Sequence, residues 1–424
     1  MRIAINGTGR IGRLCIRRLL DLADGSELEL VAVNTTCAPD MLVHLLEYDT
    51  VHGRWPGRVR TDGGALVRLE ADERLDRTGI PPGRSSSPQP SSRIDSAPER
   101  NPSTQNRIEP ASDRNSSPQN RLEPASEQSS SPQNWIEPAP ERNSSPQNRI
   151  ELVSERDPSR LPWRRLGIDL VIDATGAFTD RAGMEKHLEA GAGRVLLTSP
   201  GEADLTAVMG VNDERFDPSV HRFVSAASCT TNCLAPVLKA MHEAFGVRGG
   251  WATSIHAFTS DQNHLDNPHR DWRRARSCGA SIVPAATGVS KALREVLPEL
   301  APVIRGSAVR VPVADVSLLQ LQLELGAPAA ADEVREALRE AAAGPLAPYV
   351  GYADLPLVSA DYIGCDKSAV VDGPSVLARG SSVQLSAWYD NEWGYACRVV
   401  DLAARIAERA SAAGRLGGAQ AVRV

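Results

Sequence analysis

The 424-residue chain has no basic excess: 47 Lys and Arg stand against 53 Asp and Glu, a formal charge of -6. That balance excludes the clustered basic face of a nucleic-acid-binding protein. Also missing is any unbroken run of about 18 apolar residues, so no membrane span is expected. MRIAING leads straight into an apolar strand, with neither the charged leader nor the cleavage site of an exported protein. Cysteine is sparse: Cys15, Cys37, Cys229, Cys233, Cys278, Cys365 and Cys397 are scattered and odd in number. This excludes a disulfide scaffold and fits a reducing compartment. Only Cys229 and Cys233 lie close, and a CxxxC pair without nearby histidines lacks the ligand spacing of zinc, so no metal site is expected. A soluble cytoplasmic protein of two domains is the expectation.

What is present alternates strand and helix. RIAIN (2–6) is an apolar run, GTGRIGR follows, LCIRRLLDL continues with helical spacing, and LELVAVN is a second buried strand. LGIDLVIDATG (166–176), EKHLEAG and RVLLTSP repeat that logic, which predicts a doubly wound parallel sheet, a Rossmann fold. From Cys229 onward the pattern changes. SLLQLQLEL (317–325) and VQLSAWYD (383–390) predict strands of a largely antiparallel sheet, and ADEVREALREAAAG (331–344) predicts an amphipathic helix. The expected division is α/β: a dinucleotide-binding domain over 1–228, an α+β catalytic domain over 229–395, and over 396–424 a helix packing back on the first domain with a frayed tail.

The first domain is interrupted at about 85–148 by a segment rich in Ser, Pro, Gln, Asn and Arg. Gln-Asn recurs at 105, 119, 133 and 147, a period of 14 (119 − 105), and Ile94, Ile108, Leu122, Ile136 and Ile150 keep the same step. One aliphatic residue per proline-bearing unit cannot build a solenoid core or offset the entropy of ordering, so a disordered insertion is expected. Lengthening a connection from about 8 to about 64 residues costs only about 2 kcal/mol. The last unit, RIELVSERDPSRLPW (149–163), carries Leu152 and Val153 where earlier units have Pro-Ala or Ser-Ala, so it can form a strand. The insert reads as tandem duplication of that strand segment.

Gly7-Thr8-Gly9-Arg10-Ile11-Gly12 fits GxGxxG between a strand and a helix, where glycines allow a tight turn and close approach to a pyrophosphate resting on the helix N-terminus. An acid at the end of the second strand normally grips the ribose 2′-hydroxyl of NAD. Here the strand ends Val33-Asn34-Thr35-Thr36. Two readings stay open: no charge repels the 2′-phosphate of NADP, or Thr35 hydrogen-bonds the ribose of NAD.

SAASCTTNCLAPVLKAMHEAFG (225–246) sets Cys229 at the first turn of a helix, where unpaired N–H groups and the macrodipole favour a thiolate. A shift from the ordinary pKa near 8.5 to about 6 would raise the ionised fraction at pH 7 from about 3% to about 90%. Cys233, one turn on, is expected to be buried. His256, in WATSIHAFTSDQ, can stabilise the thiolate and shuttle protons, a pairing that spacing alone leaves unproven. NPHRDWRRARS, PAATG and VIRGSAVRVP supply arginines and small residues suited to phosphate groups, although RRAR equally fits a solvated or subunit-facing surface.

NGTGRIGR, HLLEYDTVHGRW, VIDATGAFTD, SAASCTTNCLAP, HAFTSDQ, AVRVPVADVSL and WYDNEWGY together resemble phosphorylating glyceraldehyde-3-phosphate dehydrogenase over nearly the whole chain outside the insert. The missing acid, DNPHRDWRRARSCG and WYDNEWGYACRVVDL look closer to the gluconeogenic, NADP-using branch. The resemblance implies Cys229 as nucleophile and His256 as acid/base. It puts Ser228, Thr230, Thr287 and Gly288 at one phosphate position, Thr259 and Arg310 at the other, and Arg274 nearby. It sets Arg10 and Ile11 under the pyrophosphate, Thr198 and Asn391 on the nicotinamide side, and Arg156 by the adenosine. Glyceraldehyde 3-phosphate, inorganic phosphate, NAD or NADP without metal, and a homotetramer with 258–281 reaching across subunits are likewise implied. Thr8 departs from the aromatic usual in the family. The rivals are an erythrose 4-phosphate dehydrogenase of the same architecture and a non-catalytic scaffold that recruits partners through the insert.

Overall fold

Alternation of buried apolar strands with half-buried helices generates two large sheets beside one two-stranded pair. The computed structural model describes residues 1–22, 26–69 and 149–421, all within the unit Met1–Ala71 with Ser144–Val424. The repeats upstream of Arg149, and the expectation of their disorder, lie outside the described residues.

In chain order the first part contains β1 (Arg2–Asn6), α1 (Arg10–Asp21), β2 (Glu29–Asn34), α2 (Pro39–Glu47) and the short pair β3 (Tyr48–Asp49) and β4 (Gly53–Arg54). Next come β5 (Arg58–Asp62), β6 (Ala65–Leu69), β7 (Arg149–Val153), α3 (Trp163–Leu166), β8 (Leu170–Asp173), α4 (Arg181–Glu189), β9 (Arg194–Leu197), β10 (Leu205–Thr206) and β11 (Phe223–Ser225). These strands, apart from β3 and β4, form one sheet in the order β10-β11-β9-β8-β1-β2-β7-β6-β5, parallel from β10 to β7 and antiparallel at β6 and β5. The chain leaves β1 in one direction for β2 and later fills the other side with β8, so the switch point where such folds bind ligands lies between β1 and β8. The last repeat unit is a strand, as Leu152 and Val153 predict: β7 lies beside β2 with Ile150 buried.

Then follow α5 (Cys229–Phe245), β12 (Val247–Ala257), β13 (Val283–Ala285), α6 (Val289–Val296), β14 (Ile304–Val311), β15 (Ser317–Leu325), α7 (Ala331–Ala343), β16 (Val350–Ala353), β17 (Ala369–Arg379), β18 (Ser382–Tyr389) and α8 (Trp393–Ala421). The second sheet runs β13-β14-β12-β15-β18-β17-β16. It is antiparallel except at β12–β14 and β16–β17. Alternate residues of β15 (Leu319, Leu321, Leu323, Leu325) enter a core shared with Leu234, Leu238 and Met241 of α5, the period-2 pattern meeting a helical stripe. Helix α8 returns to the first sheet, where Val399, Val400, Ala403 and Ile406 share a core with Leu14 and Ile16 of α1.

Candidate active site

All parallel strands of the first sheet end on one edge, and there the residues of the glycine turn collect. Gly7 has φ +100°, and a Cβ on Gly12 would stand 2.0 Å from the Gly7 carbonyl oxygen, so the chain's own packing demands both glycines. Gly9 differs. A Cβ there would meet nothing within 4 Å, yet the residue is exposed and forms the N-cap of α1, so its smallness leaves room for an approaching group. Arg10 and Ile11 follow in the first turn. The Arg10 guanidinium pairs with Asp49 and Glu392, leaving the backbone N–H groups as this turn's means of holding an anion.

Thr35 follows β2, its N–H bonded to Val153 of β7 at 2.9 Å and its hydroxyl 2.6 Å from that of Thr8 and 3.1 Å from the Cys37 sulfur. Asn34 turns inward to Asn6 and the Glu155 carbonyl. Arg156 lies exposed beyond β7, and Thr198 continues β9 with its N–H on the Asp173 carbonyl at 3.0 Å. The structure thus gathers Gly7 to Gly12, Thr35, Arg156 and Thr198 along a single sheet edge.

The chain leaves that edge at β11 and turns into α5. Ser228 caps the helix, its hydroxyl accepting the Thr231 N–H at 3.2 Å, while Asn232 donates to the carbonyls of Ala226 and Ser228. Ala227 is held at φ +57°, an uncommon conformation for a residue with a Cβ, directly before the cap. Cys229 begins the helix and keeps a partly open side, whereas Cys233 is fully buried, as its place one turn on predicts.

Parallel pairing of β12 with β14 sets His256 directly opposite Arg310. The Cys229 Sγ lies 3.4 Å from His256 Nε2. On the far side of the ring, Nδ1 stands 2.7 Å from the Ala257 carbonyl and 2.6 Å from Arg310 Nη1, which also donates to that carbonyl at 2.9 Å. These contacts admit two tautomers: Nδ1–H donates to Ala257 and Nε2 accepts the thiol proton, or Arg310 donates to Nδ1 and Nε2–H faces a thiolate.

The expectation of a depressed thiol pKa is corrected here. Burial pushes the Cys229 thiol above its ordinary value, although the Arg310 charge and hydrogen bonds from Thr230 pull the other way. The same burial, reinforced by Arg310, pushes His256 down to about 3. Both groups are thus held towards their neutral forms, and the imidazole stands within proton-transfer reach of the thiol rather than as a standing counter-ion.

The remaining candidates divide. The Thr230 hydroxyl lies 3.0 Å from that of Tyr389, and Ser254 meets the same phenol at 2.9 Å. Thr259 lies just past β12, and Arg274 pairs with Asp261 and, at 3.5 Å, with Asp271. Thr287 and Gly288 open α6. The Thr287 methyl packs where a Cβ on Gly306 would stand, four residues before Arg310 on β14, a strand length of about 13 Å. Asn391 follows β18, its Oδ1 accepting the Ser317 hydroxyl at 2.6 Å.

Sequence reasoning missed Tyr389, which ties α5 to β12 beneath the thiol. It also missed a buried polar centre of His52, Asp315 and Asp390. His52 Nε2 lies 3.1 Å from Asp315 and 3.3 Å from Asp390. The signal was available, because each stands in a quoted motif (HLLEYDTVHGRW, AVRVPVADVSL, WYDNEWGY), but polar letters there carry no mark of burial.

Two family models match: "Glyceraldehyde 3-phosphate dehydrogenase, NAD binding domain" over residues 1–73 and "Glyceraldehyde 3-phosphate dehydrogenase, C-terminal domain" over residues 228–391. The chain is 39% identical to glyceraldehyde-3-phosphate dehydrogenase 1 of Bacillus subtilis, over 96% of this chain and 99% of that protein. It is 38% identical to glyceraldehyde-3-phosphate dehydrogenase 2 of the same organism, over 96% of this chain and 97% of that protein. To the glyceraldehyde-3-phosphate dehydrogenase of Geobacillus stearothermophilus it is 38% identical, over 96% and 99%. With a cysteine and a histidine in contact at a helix start, beside a glycine turn that leaves room for a dinucleotide, this chain belongs to the glyceraldehyde-3-phosphate dehydrogenase family.

Proposed function

We propose that the chain catalyses the reversible oxidative phosphorylation of D-glyceraldehyde 3-phosphate to 1,3-bisphosphoglycerate with NAD or NADP. The observation that carries this reading is the 3.4 Å contact of Cys229 Sγ with His256 Nε2 at the start of α5. Cys229 adds to the aldehyde carbon as its proton passes by way of His256 Nε2 to the carbonyl oxygen, forming a hemithioacetal and leaving His256 unprotonated. The bound nicotinamide supplies the hydride acceptor. His256 takes the hydroxyl proton as the thioester forms on Cys229, and inorganic phosphate then attacks the thioester carbonyl, forming a C–O bond and breaking the C–S bond.

The open space at Gly9 fits a pyrophosphate, which the N–H groups of Arg10 and Ile11 would hold, with Thr35 and Arg156 on the adenosine side and Thr198 and Asn391 on the nicotinamide side. Arg310 and Thr259 would hold the substrate phosphate with Arg274 close by, and Ser228, Thr230, Thr287 and Gly288 the inorganic phosphate. No acid stands at the end of β2, which supports use of NADP as well as NAD. Initial rates with each dinucleotide, on the whole chain and with residues 89–144 deleted, test both the preference and any influence of the repeats.

Apolar side chains support a homotetramer. Leu265 and Trp272 of segment 258–281 are 79% and 89% exposed, and Trp251 and Leu377, which line a groove of about 550 Å³, are each 59% exposed. Sedimentation at four chain masses is the expected result. A cytoplasmic setting agrees with the free cysteines.

A further inference from the structure

The polar centre lies apart from the reacting sulfur, yet it touches the elements that carry both ends of the cofactor grip. Its ring comes from the turn between β3 and β4. Nε2 faces Asp315 (3.1 Å), in the turn before β15, and Asp390 (3.3 Å), at the end of β18. Nδ1 faces Asp49 at 3.6 Å and Glu392 at 3.9 Å, with Arg10 Nη2 at 3.4 Å. The Asp315 and Asp390 side chains are 0% exposed and that of His52 is 5% exposed. Ionised carboxylates only accept hydrogen bonds, so Nε2, which faces Asp315 and Asp390, carries a proton and donates it. Four acids, Asp49, Asp315, Asp390 and Glu392, surround this ring and one guanidinium, that of Arg10. Without the ring's charge the centre would hold an excess of buried negative charge, which is costly.

The outward links give the centre its reach. Arg10 opens α1 at the glycine turn and pairs with Asp49 and Glu392. Asp390 accepts the N–H groups of Glu392 (3.0 Å) and Trp393 (2.7 Å), fixing the turn that contains Asn391. Asn391 in turn accepts from Ser317, two residues past Asp315 and next to Val316, which is held at φ +63°. A β-branched residue in that conformation persists only where its surroundings over-determine it.

We infer that His52, as an imidazolium clamped between Asp315 and Asp390, is a positioning residue that ties the glycine-turn arginine Arg10 to Asn391, and so sets the spacing at which a nicotinamide dinucleotide is gripped at its pyrophosphate and its nicotinamide. This rests on the cofactor assignment proposed above. It makes the charge of the ring, rather than its shape, the quantity that matters.

The experiment compares wild type, His52→Gln, Asp315→Asn and the double variant in steady-state kinetics on the full chain, with the rate of iodoacetamide alkylation of Cys229 as a readout independent of the cofactor. His52→Gln is expected to raise the dinucleotide KM about tenfold, lower kcat less than about threefold and leave alkylation unchanged. Adding Asp315→Asn, which removes the stranded carboxylate, is expected to recover most of that KM. An unmoved KM, additive losses in the double variant, or alkylation slowing in parallel would each overturn the inference. Should His52→Gln fail to fold, nitrogen-15 histidine spectra of the unaltered chain at pH 8 decide. One imidazolium is expected among the eight histidines, because an ordinary histidine is neutral there. Eight neutral rings, or one tightly held divalent ion per chain displacing that proton, would refute it. Absence of turnover in the unaltered chain would instead strike the function proposed above, which keeps the two failures distinct.

Discussion

His52 and His256 are both nearly withdrawn from water, and they end in opposite protonation states. Burial works against the charge of each. For His52, hydrogen bonds to Asp315, Asp390 and Asp49 outweigh burial and push the ring up to about 11. For His256 the neighbouring charge is the Arg310 guanidinium, which adds to burial, and the ring is pushed down to about 3. The same side chain therefore serves as a structural cation in one place and as a vacant base in the other. The sign of the nearest charge decides which.

The sharpest way to break this comparison is at the base's own partner. Cys229→Ser is expected to lower turnover by a factor on the order of 10⁴ or more, read as NAD(P)H formation, with substrate binding retained. Near-wild-type activity in that variant would leave the His256 pairing without a catalytic purpose. His256→Asn comes next, with kcat lower by about 10²–10⁴-fold and the thiol still present for titration with Ellman's reagent.

Stability against pH separates the two rings by sign. A ring whose folded pKa is depressed binds fewer protons folded than unfolded, so His256 costs stability as pH falls from about 6.5 towards 3. His256→Asn should therefore gain on wild type on acidification, by up to about 2 kcal/mol at pH 5. His52 has the opposite shift. Its contribution is complete below about 6.5 and is lost as pH rises to about 11, so the loss in His52→Gln from this ring should be full at and below about pH 6.5 and vanish in alkali. Parallel trends in melting temperature would erase the contrast.

The smallest effect concerns the thiol itself. Because burial holds the Cys229 pKa up, its alkylation rate should keep rising through pH 8.5 without a plateau near neutrality. A plateau below pH 7 would restore the preformed thiolate that the structure argues against.

Much of this was legible from the order of residues. The strand, glycine turn and helix at the N-terminus, the capped helix that presents Cys229, and the folding of the last repeat unit as β7 all follow from local rules: hydrophobic period, capping and the glycines that only a tight turn needs. The thiol's ionisation was misjudged because a helix N-terminus can be read in the letters, whereas the desolvation opposing it depends on what packs around the sulfur. His52, Asp315 and Asp390 escaped notice for a related reason, since they come from three separate parts of the chain and only their convergence makes them a site.

By itself, then, the order of amino acids determined the two sheet types, the helix start beneath Cys229 and the family to which the chain belongs, since each depends on neighbours a few residues apart. Only the tertiary structure decided which charge each buried histidine faces. Pairing His256 with Arg310 takes the register of β12 on β14, and enclosing His52 takes three distant turns meeting out of water, where the electrostatic influence of a single neighbour is no longer screened.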